Sequence, residues 1–392
     1  GVEIFAGDRI TITTEKVLGN AAVVSTSYKS LPQDVSVGDM ILIDDGKIEL
    51  KVTDRREHHI EAEIIYGGIL KSRKGINLPQ TNVSAPSLTD KDYEDLMFGI
   101  REGVDWVALS FVRNAEDIIQ LKEILQKEGV QTGIIAKIEK PQAIANIDAI
   151  IEVSDGIMVA RGDLGVEILM EDVPVTQKML VRKANLAAKP VIVATQMLES
   201  MIENPRPTRA ETNDVANAVM DGADAVMLSA ESASGKYPVL AVKSMARIIH
   251  SIEANVDAIY HRFQDLNRQS AEFFAESLIH SGCVLAANTQ AKAICTLTSS
   301  GYSAAMISHF RPKADIFIFS RKKSLLTRLS LYWGVRSFFY ERTKATDETI
   351  TDLEEILKKH GHISAGDAFI SMASIPIEQR QRVNMLKVTV AS

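Results

Sequence analysis

The sequence predicts an α/β protein in which short apolar strands alternate with amphipathic helices. From Ser87 onward a helical pattern is followed by a short apolar run, and five such units occur along the chain. The runs are nearly continuously apolar rather than alternating, as in the strands of a parallel sheet that is covered by helices. They occupy residues 106–112, 133–139, 156–160, 190–195 and 225–229. Such a sheet is either doubly wound or closed into a (β/α)8 barrel.

Polar side chains at the carboxyl ends of the predicted strands favour the barrel. In a barrel these ends open on one face, where active sites lie, whereas in an open sheet they would fan out. A barrel needs eight strands, so the five strands correspond to strands 4–8. We expect the other three to precede Gly1, in a segment of roughly 80–90 residues. The polar pairs are Lys137 and Glu139, Arg161 and Asp163, Thr195 and Gln196, and Ser229 and Glu231.

Residues 1–72 predict a small β unit, because apolar and polar residues alternate there between turn residues. We expect a hairpin turn at 44–46 within this unit. A basic, glycine-containing hinge at 71–75 follows it. The barrel portion then spans 73–243. Helices and strands of a different spacing follow, which predicts a C-terminal α/β domain at 244–392.

Composition excludes several classes of protein. Hydrophobic residues make up 46% and charged residues 24% of the chain, so it is neither globally disordered nor fibrous. The net charge of −7 gives no basic footprint for nucleic acid. Two cysteines cannot form a disulfide framework or a zinc site, and no apolar run reaches membrane-spanning length. We therefore expect a cytoplasmic protein that binds neither nucleic acid nor membrane.

The residues between 137 and 163 predict a metal-assisted anion site. Lys137 and Glu139 share one face of a strand, because residues two apart point to the same side. Asp163, after the next strand, adds a second carboxylate, and two carboxylates with substrate oxygens or waters suit Mg²⁺. The amides of Gly162 and Asp163 could face an anion at a helix start. Taken alone, Lys137 and Glu139 are more simply a buried ion pair.

Several motifs, in order and at matching spacing, resemble the pyruvate kinase family. The resemblance runs from the β unit to the end of the barrel portion and continues more weakly to 385–388. The matching segments are 44–46, 74–79, 136–139, 158–165, 194–201, 205–211 and 221–224. It implies a glycolytic kinase that transfers the phosphoryl group of phosphoenolpyruvate to ADP, giving pyruvate and ATP.

The resemblance also implies roles for individual residues. Lys137 would be the cation that stabilises the enolate of pyruvate, as electrostatic catalysis of phosphoryl transfer requires. Glu139 and Asp163 would be the protein ligands of Mg²⁺ or Mn²⁺. A K⁺ requirement, a homotetramer and the arrangement of residues 1–72 as a small inserted β-barrel that serves as a lid are further expectations of the resemblance.

Substrate and nucleotide contacts are carried over in the same way. Gly162, Asp163 and Thr195 would hold the substrate carboxylate. Thr195 and Ser229 would position polar groups or water for protonation at C3. Lys74 matches a lysine used at the nucleotide phosphates.

The absent N-terminal strands leave two alternatives open. The chain could be a non-catalytic fragment or a regulatory paralogue of the same family, because the family's phosphate-gripping arginine and monovalent-cation ligands would lie in those strands. It could also be another barrel enzyme that handles enolates with Mg²⁺, such as a lyase or a phosphotransferase with a swivelling histidine. The β unit and the lack of a carrier histidine motif disfavour the second alternative.

A hydroxyl-rich segment in the C-terminal domain predicts either a phosphate site for an allosteric effector or an ordinary capped helix start. The equivalent segment binds an effector phosphate in many members of the family that the chain resembles, but the ordinary capped start is slightly favoured. The candidate effector-binding residues are Thr298, Ser299, Ser300 and Ser303.

Overall fold

The structure is a computed structural model that describes residues 1–44, 46–79, 81, 87–255, 257–260, 266, 268–341, 346–375 and 382–392. Strands in this part of the chain form four sheets, of two, six, five and five strands. One of the five-stranded sheets is entirely parallel, and the helices alternate with its strands. The predicted α/β class is confirmed.

The N-terminal β unit contains a six-stranded sheet in the order β3-β2-β6-β5-β4-β8 and a two-stranded sheet of β1 and β7. Apolar side chains two residues apart on β5 and β6 face one core. Because β8 pairs with β4, the sheet reaches beyond residue 72. The elements are β1 (Val2–Ile4), β2 (Arg9–Thr13), β3 (Val23–Ser25), α1 (Leu31–Asp34), β4 (Met40–Ile43), β5 (Ile48–Arg55), β6 (His59–Tyr66), β7 (Gly68–Leu70) and β8 (Ile76–Asn77).

Two turns of this unit depend on local chemistry. The backbone at Gly67 passes so close to β1 that a Cβ there would lie 2.2 Å from the Ile4 carbonyl oxygen, so only glycine fits. The predicted hairpin turn at 44–46 joins β4 and β5, which pair antiparallel up to Ile43 and Ile48. Asp45 of this turn lies outside the described residues.

The parallel sheet has the order β9-β10-β11-β12-β13, the order of the strands along the chain. Its three central strands are almost wholly buried, as their apolar sequences predict. Its elements are α2 (Asp90–Arg101), β9 (Trp106–Leu109), α3 (Ala115–Lys127), β10 (Gly133–Ile138), α4 (Pro141–Ala145), α5 (Ile147–Val153), β11 (Gly156–Ala160), α6 (Arg161–Glu167), α7 (Val173–Leu186), β12 (Val191–Ala194), α8 (Arg209–Asp221), β13 (Ala225–Val226), α9 (Ala230–Ala233) and α10 (Pro238–Asn255).

Capping side chains fix where several of these helices begin. Thr89 and Thr208 each form a capping box, with Asp92 and Glu211 respectively. Asn114 accepts a hydrogen bond from an amide in the first turn of α3. Each of these three helices therefore begins at a defined residue.

The C-terminal sheet has the order β16-β15-β14-β17-β18 and is parallel except for β18. Apolar clusters lie on both of its faces, against the helices. The elements are α11 (Phe273–Asn288), β14 (Ala293–Leu297), α12 (Tyr302–His309), β15 (Asp315–Ser320), α13 (Lys323–Leu329), β16 (Val335–Phe339), α14 (Thr346–Lys359), β17 (Ala368–Ala373) and β18 (Met385–Val390).

A buried polar contact, which we call the seam, joins the C-terminal unit to the parallel sheet. Arg311 donates through Nη2 to the Gly222 carbonyl oxygen at 2.7 Å and to Asp224 Oδ1 at 3.1 Å. The Trp333 amide donates to the same Asp224 oxygen, and its ring lies against the Arg311 guanidinium. Leu331 packs against an apolar cluster on one face of the parallel sheet, formed by Ile135, Met158, Ile192 and Ala194. Gly222 and Asp224 precede β13, so the seam lies at the amino ends of the parallel strands. The predicted functional residues lie at the opposite, carboxyl ends.

We expect His309 to make the fold sensitive to mild acid. Burial at the end of α12 lowers the pKa of its imidazole to about 4, from an ordinary value of 6.5. Below pH 6.5 the unfolded chain binds a proton that the folded chain does not, so stability falls as the pH falls from 6.5 to about 4. The full effect is about 3 kcal/mol.

Chemical denaturation at several pH values tests this expectation. The difference in unfolding free energy between wild type and His309→Gln should shrink as the pH falls from 7 to 4. The exposed His58 provides the matched control, His58→Gln. A parallel pH dependence of wild type and His309→Gln would contradict the assignment.

In the described part of the chain, no helix is both long enough and apolar enough to cross a membrane.

Candidate active site

The predicted functional residues lie at the carboxyl ends of neighbouring parallel strands. The register pairs Ile138 of β10 with Val159 of β11, and Ala160 with Ala194 of β12. Consequently Glu139, the start of α6 and Thr195 follow adjacent strands at one edge of the sheet. Ser229 follows β13, the next strand in the sheet.

Lys137 and Glu139 form an ion pair at this edge, with Nζ 2.6 Å from Oε1. Lys137 also donates to Ser110 Oγ at 2.9 Å, and Glu139 Oε2 accepts from the Phe111 amide at 2.7 Å. Glu139 is fully buried, whereas 24% of the Lys137 side chain is exposed. The Lys137 ammonium is therefore accessible to a ligand, whereas the buried Glu139 carboxylate is fixed by Lys137 and by the Phe111 amide.

The donor set at this edge fits a hard divalent cation. Glu139 Oε1 is buried and lies 2.6 Å from the Lys137 ammonium, and no other described group donates a hydrogen bond to it, so this anionic oxygen keeps a lone pair for a cation. Asp163 lies in the first turn of α6, after the neighbouring strand. Among the described residues no three His, Cys, Asp or Glu side chains converge as a metal site. A cation here would rest on two carboxylates and complete its shell with substrate oxygens and waters, as Mg²⁺ does.

Thr195 joins the β12 turn to the start of α6. Its Oγ1 accepts a hydrogen bond from the Gly162 amide at 2.7 Å and donates to the Ala194 carbonyl oxygen at 2.6 Å. Two of the three groups predicted to hold the substrate carboxylate, the Gly162 amide and the Thr195 hydroxyl, therefore contact each other. A carboxylate bound there would take over the hydrogen bond that the Gly162 amide makes to Thr195.

Ser229 is held by Glu231, whose structural role the sequence did not reveal. The Ser229 amide donates to Glu231 Oε2 at 2.7 Å, and the Leu198 amide donates to Oε1 at 3.1 Å. Glu231 is buried, so its carboxylate ties the loop after β13 to the loop after β12. The spacing of Ser229 and Glu231 was the only signal in the sequence that could have indicated this contact.

The β unit contacts the parallel sheet through a buried network that sequence reasoning missed. Glu167 Oε1 lies 2.5 Å from Lys140 Nζ and accepts from Asn77 Nδ2 at 3.3 Å. Lys140 directly follows Glu139, and Asn77 belongs to β8. The presence of Asn77 in the segment 74–79 was the only available signal.

Lys74, the predicted nucleotide lysine, forms an ion pair with Asp44 of the β4–β5 turn at 2.7 Å. The Lys74 hydrogen bond lowers the pKa of the Asp44 carboxyl. About a third of the Lys74 side chain, 36%, is exposed, so a second anion can reach it. None of the described contacts joins Lys74 to Lys137 or Glu139.

The hydroxyl-rich segment before α12 uses two of its side chains within its own turn. Thr298 Oγ1 accepts from the Gly301 amide at 2.9 Å, and Ser300 Oγ accepts from the Tyr302 amide at 3.4 Å. Ser303 is buried, and Ser299 is half-buried. An effector role for Thr298, Ser299, Ser300 and Ser303 stays a prediction.

Comparisons with known proteins agree with this architecture. The family described as pyruvate kinase, barrel domain, matches residues 1–242, and the pyruvate kinase alpha/beta domain matches residues 276–389. A pyruvate kinase of Geobacillus stearothermophilus is 43% identical over 396 residues, covering 100% of this chain and 67% of that protein. One from Clostridium acetobutylicum is 41% identical over 392 residues, covering 99% of this chain and 82% of that protein.

A solved structure is also similar. The crystal structure of a pyruvate kinase from Cryptosporidium parvum superposes with a TM-score of 0.88 at 34% sequence identity. The match covers 100% of this chain and 80% of that one. Matches of this extent to proteins named pyruvate kinase do not favour a non-catalytic paralogue or a different enolate-handling barrel enzyme. The chain therefore belongs to the pyruvate kinase family, glycolytic enzymes that transfer the phosphoryl group of phosphoenolpyruvate to ADP.

Proposed function

We propose that this chain performs the family's reaction at the strand-end site, which we define as Lys137, Glu139, Gly162, Asp163, Thr195 and Ser229. The observation that carries the proposal is the partly exposed Lys137 ammonium, held 2.6 Å from Oε1 of the fully buried Glu139 carboxylate. A fixed cation beside an anionic ligand group suits a reaction in which negative charge develops on a substrate oxygen.

In this proposal Lys137 faces the oxygen that becomes the enolate. The bond between that oxygen and phosphorus breaks, its electron pair stays on the oxygen, and phosphorus forms a bond to a terminal oxygen of ADP. Lys137 stabilises the charge that appears on the enolate oxygen. Ser110, hydrogen-bonded to Nζ, holds the ammonium in place between substrate encounters.

The substrate carboxylate would lie at the start of α6, against the amides of Gly162 and Asp163 and the Thr195 hydroxyl. The enolate then takes a proton at C3, which completes pyruvate. Thr195 and Ser229 stand on adjacent strand ends, from which a hydroxyl or a bound water can deliver that proton. Lys74 would contact the ADP phosphates from the β unit.

Pyruvate kinases generally need a divalent metal ion and potassium. We propose that Glu139 and Asp163 hold Mg²⁺ or Mn²⁺ together with substrate oxygens. When bound, the ion would neutralise negative charge on the carboxylate and phosphoryl oxygens of the substrate. A K⁺ requirement, a homotetramer and a cytoplasmic location belong to the same proposal.

The finer architecture is also part of the proposal. The five parallel strands would be strands 4–8 of a closed (β/α)8 barrel, and the small β unit would be a lid over the strand-end site. The network of Asn77, Glu167 and Lys140 supports the lid, because it joins β8 to residues beside Glu139 and Asp163. The units would divide as 1–72, 73–243 and 244–392.

A coupled assay tests the proposed reaction. The complete protein is mixed with phosphoenolpyruvate, ADP and Mg²⁺, and pyruvate release is coupled to NADH oxidation. We expect release that depends on all three components. Absence of pyruvate formation by the folded, complete protein would overturn the proposal.

We expect Lys74→Met to raise the Michaelis constant for ADP while changing the turnover number much less. A lysine that meets nucleotide phosphates contributes binding energy to ground state and transition state alike. Lys47→Met is the matched control, because Lys47 also pairs with Asp44 but is 70% exposed and lies outside the motif 74–79. An unchanged constant for ADP in Lys74→Met, or the same increase in Lys47→Met, would contradict the role of Lys74.

A further inference from the structure

The turn that carries Thr195 has a strained backbone. Thr195 and Gln196 have φ angles of 68° and 54°, in the left-handed region that non-glycine residues rarely adopt. They are the only two consecutive non-glycine residues with positive φ in the described part of the chain. This conformation is strained for a residue with a Cβ atom, so the surroundings must hold the turn in it.

Arg161 provides that hold from the start of α6. Its Nη2 donates to the Thr195 carbonyl oxygen at 2.7 Å, and its Nε lies 3.4 Å from the Ala194 carbonyl oxygen. One planar guanidinium therefore binds the carbonyls of two successive residues at the bend. The adjacent amide, Gly162 N, reaches Thr195 Oγ1, so the turn is held through both its backbone and its side chain.

The guanidinium is itself anchored. Arg161 Nη1 donates to Asp214 Oδ1 of α8 at 2.6 Å and lies 3.4 Å from Gln177 Oε1 of α7. Only 10% of the Arg161 side chain is exposed. Arg161 thus connects two helices behind the sheet to one turn at the strand-end site.

We propose that Arg161 is a positioning residue, which holds the left-handed Thr195–Gln196 turn so that the Thr195 hydroxyl faces the substrate. The inference rests on the proposed role of Thr195 in holding the carboxylate and delivering the proton at C3. Lysine cannot replace Arg161, because a single ammonium lacks the rigid fork that reaches Asp214 and both carbonyls together. Among the described contacts, Asp214 reaches the turn only through Arg161.

Steady-state kinetics on Arg161→Lys in the complete protein gives the first test. We expect the turnover number to fall by about 10- to 100-fold, as misplacement of a reacting group by about 1 Å does, while the Michaelis constant for ADP stays unchanged. Arg113→Lys is the matched control, because Arg113 also forms an ion pair with an aspartate of a helix, Asp117 of α3, at 3.4 Å. It should keep wild-type turnover.

Proton exchange separates positioning from a general structural defect. With pyruvate, ATP and Mg²⁺ in D₂O, the rate at which the pyruvate methyl group takes up deuterium reports the C3 proton step alone. In Arg161→Lys this rate should fall at least as much as phosphoryl transfer does. Exchange at the wild-type rate would overturn the inference.

A double-mutant cycle with Thr195→Ala tests whether Arg161 acts through Thr195. In the Thr195→Ala background, Arg161→Lys should have little further effect on turnover. Additive losses would overturn the inference while leaving the role of Thr195 intact. Wild-type turnover in Thr195→Ala itself would instead overturn the proposed role of Thr195, and the inference with it.

A second variant, which keeps Arg161, tests the inference even if Arg161→Lys fails to fold. If Arg161→Lys does not fold, Asp214→Asn removes the charged anchor and keeps the guanidinium. It should show the same pattern with a smaller loss of exchange. Wild-type exchange and turnover in a folded Asp214→Asn would count against the inference.

Discussion

Lys137→Met is expected to lower the turnover number by about 10²- to 10³-fold or more, as loss of one oxyanion-stabilising donor does in other enzymes. The charge that Lys137 stabilises develops chiefly as the phosphoryl group leaves, so affinity for phosphoenolpyruvate should change little. Each factor of ten in rate corresponds to about 1.4 kcal/mol, which makes the loss easy to resolve. Steady-state kinetics with varied phosphoenolpyruvate measures both constants.

The substitution also removes the partner of a buried carboxylate, so its effect on stability must be separated from its effect on catalysis. Lys189→Met is the matched control. Lys189 is a largely buried lysine that donates to the Glu152 and Ser154 carbonyl oxygens, away from the strand-end site. It should lose stability, as seen by thermal melting, but keep its turnover number. Near-normal turnover with weakened phosphoenolpyruvate binding in Lys137→Met would show that Lys137 binds the substrate but does not stabilise the enolate.

Glu139→Gln is expected to abolish most activity and to raise the Mg²⁺ concentration needed for half-maximal rate by more than about tenfold. The glutamine side chain keeps an oxygen that can accept the hydrogen bond from the Phe111 backbone amide, so the backbone around β10 should remain in place. It removes one negative charge, and its NH₂ group cannot coordinate a cation. Asp163→Asn should act in the same direction.

Binding of Mn²⁺, followed by paramagnetic relaxation of water protons, measures the metal site without reference to turnover. Glu139→Gln should bind Mn²⁺ more weakly than wild type. Glu167→Gln is the control, because it removes the charge of another buried carboxylate that pairs with a lysine. Wild-type turnover and Mn²⁺ affinity in Glu139→Gln would show that Glu139 is only a structural partner of Lys137.

The strand and helix alternation could be predicted because apolar runs and caps are local features of the sequence. Strand ends could not be predicted equally well. The apolar run at 106–112 predicted a strand to Val112, yet β9 ends at Leu109 and Phe111 turns into the left-handed region with φ 53°. The run at 225–229 similarly gives only the two residues of β13. An apolar run in the sequence shows which residues are buried. It does not show at which residue the backbone hydrogen bonds to the neighbouring strand end.

The candidate site likewise contains contacts that the sequence predicts and contacts that it does not. The two-residue period placed Lys137 and Glu139 on one face, and the structure brings their charged groups to 2.6 Å. Ser110 beside Lys137 and the grip of Arg161 on the Thr195 turn were not predictable, because these contacts join residues far apart in sequence. They depend on the register of neighbouring strands, which one sequence does not specify.

The central claim is that Lys137 acts on the enolate rather than on the ground-state substrate. Oxalate, a planar dianion with oxygens on adjacent carbons, mimics the enolate of pyruvate, and calorimetry in the presence of Mg²⁺ gives its affinity. We predict that Lys137→Met weakens oxalate binding far more than phosphoenolpyruvate binding, because a group complementary to the transition state binds its mimics preferentially. Equal losses for the two ligands, or unchanged oxalate affinity, would contradict the account.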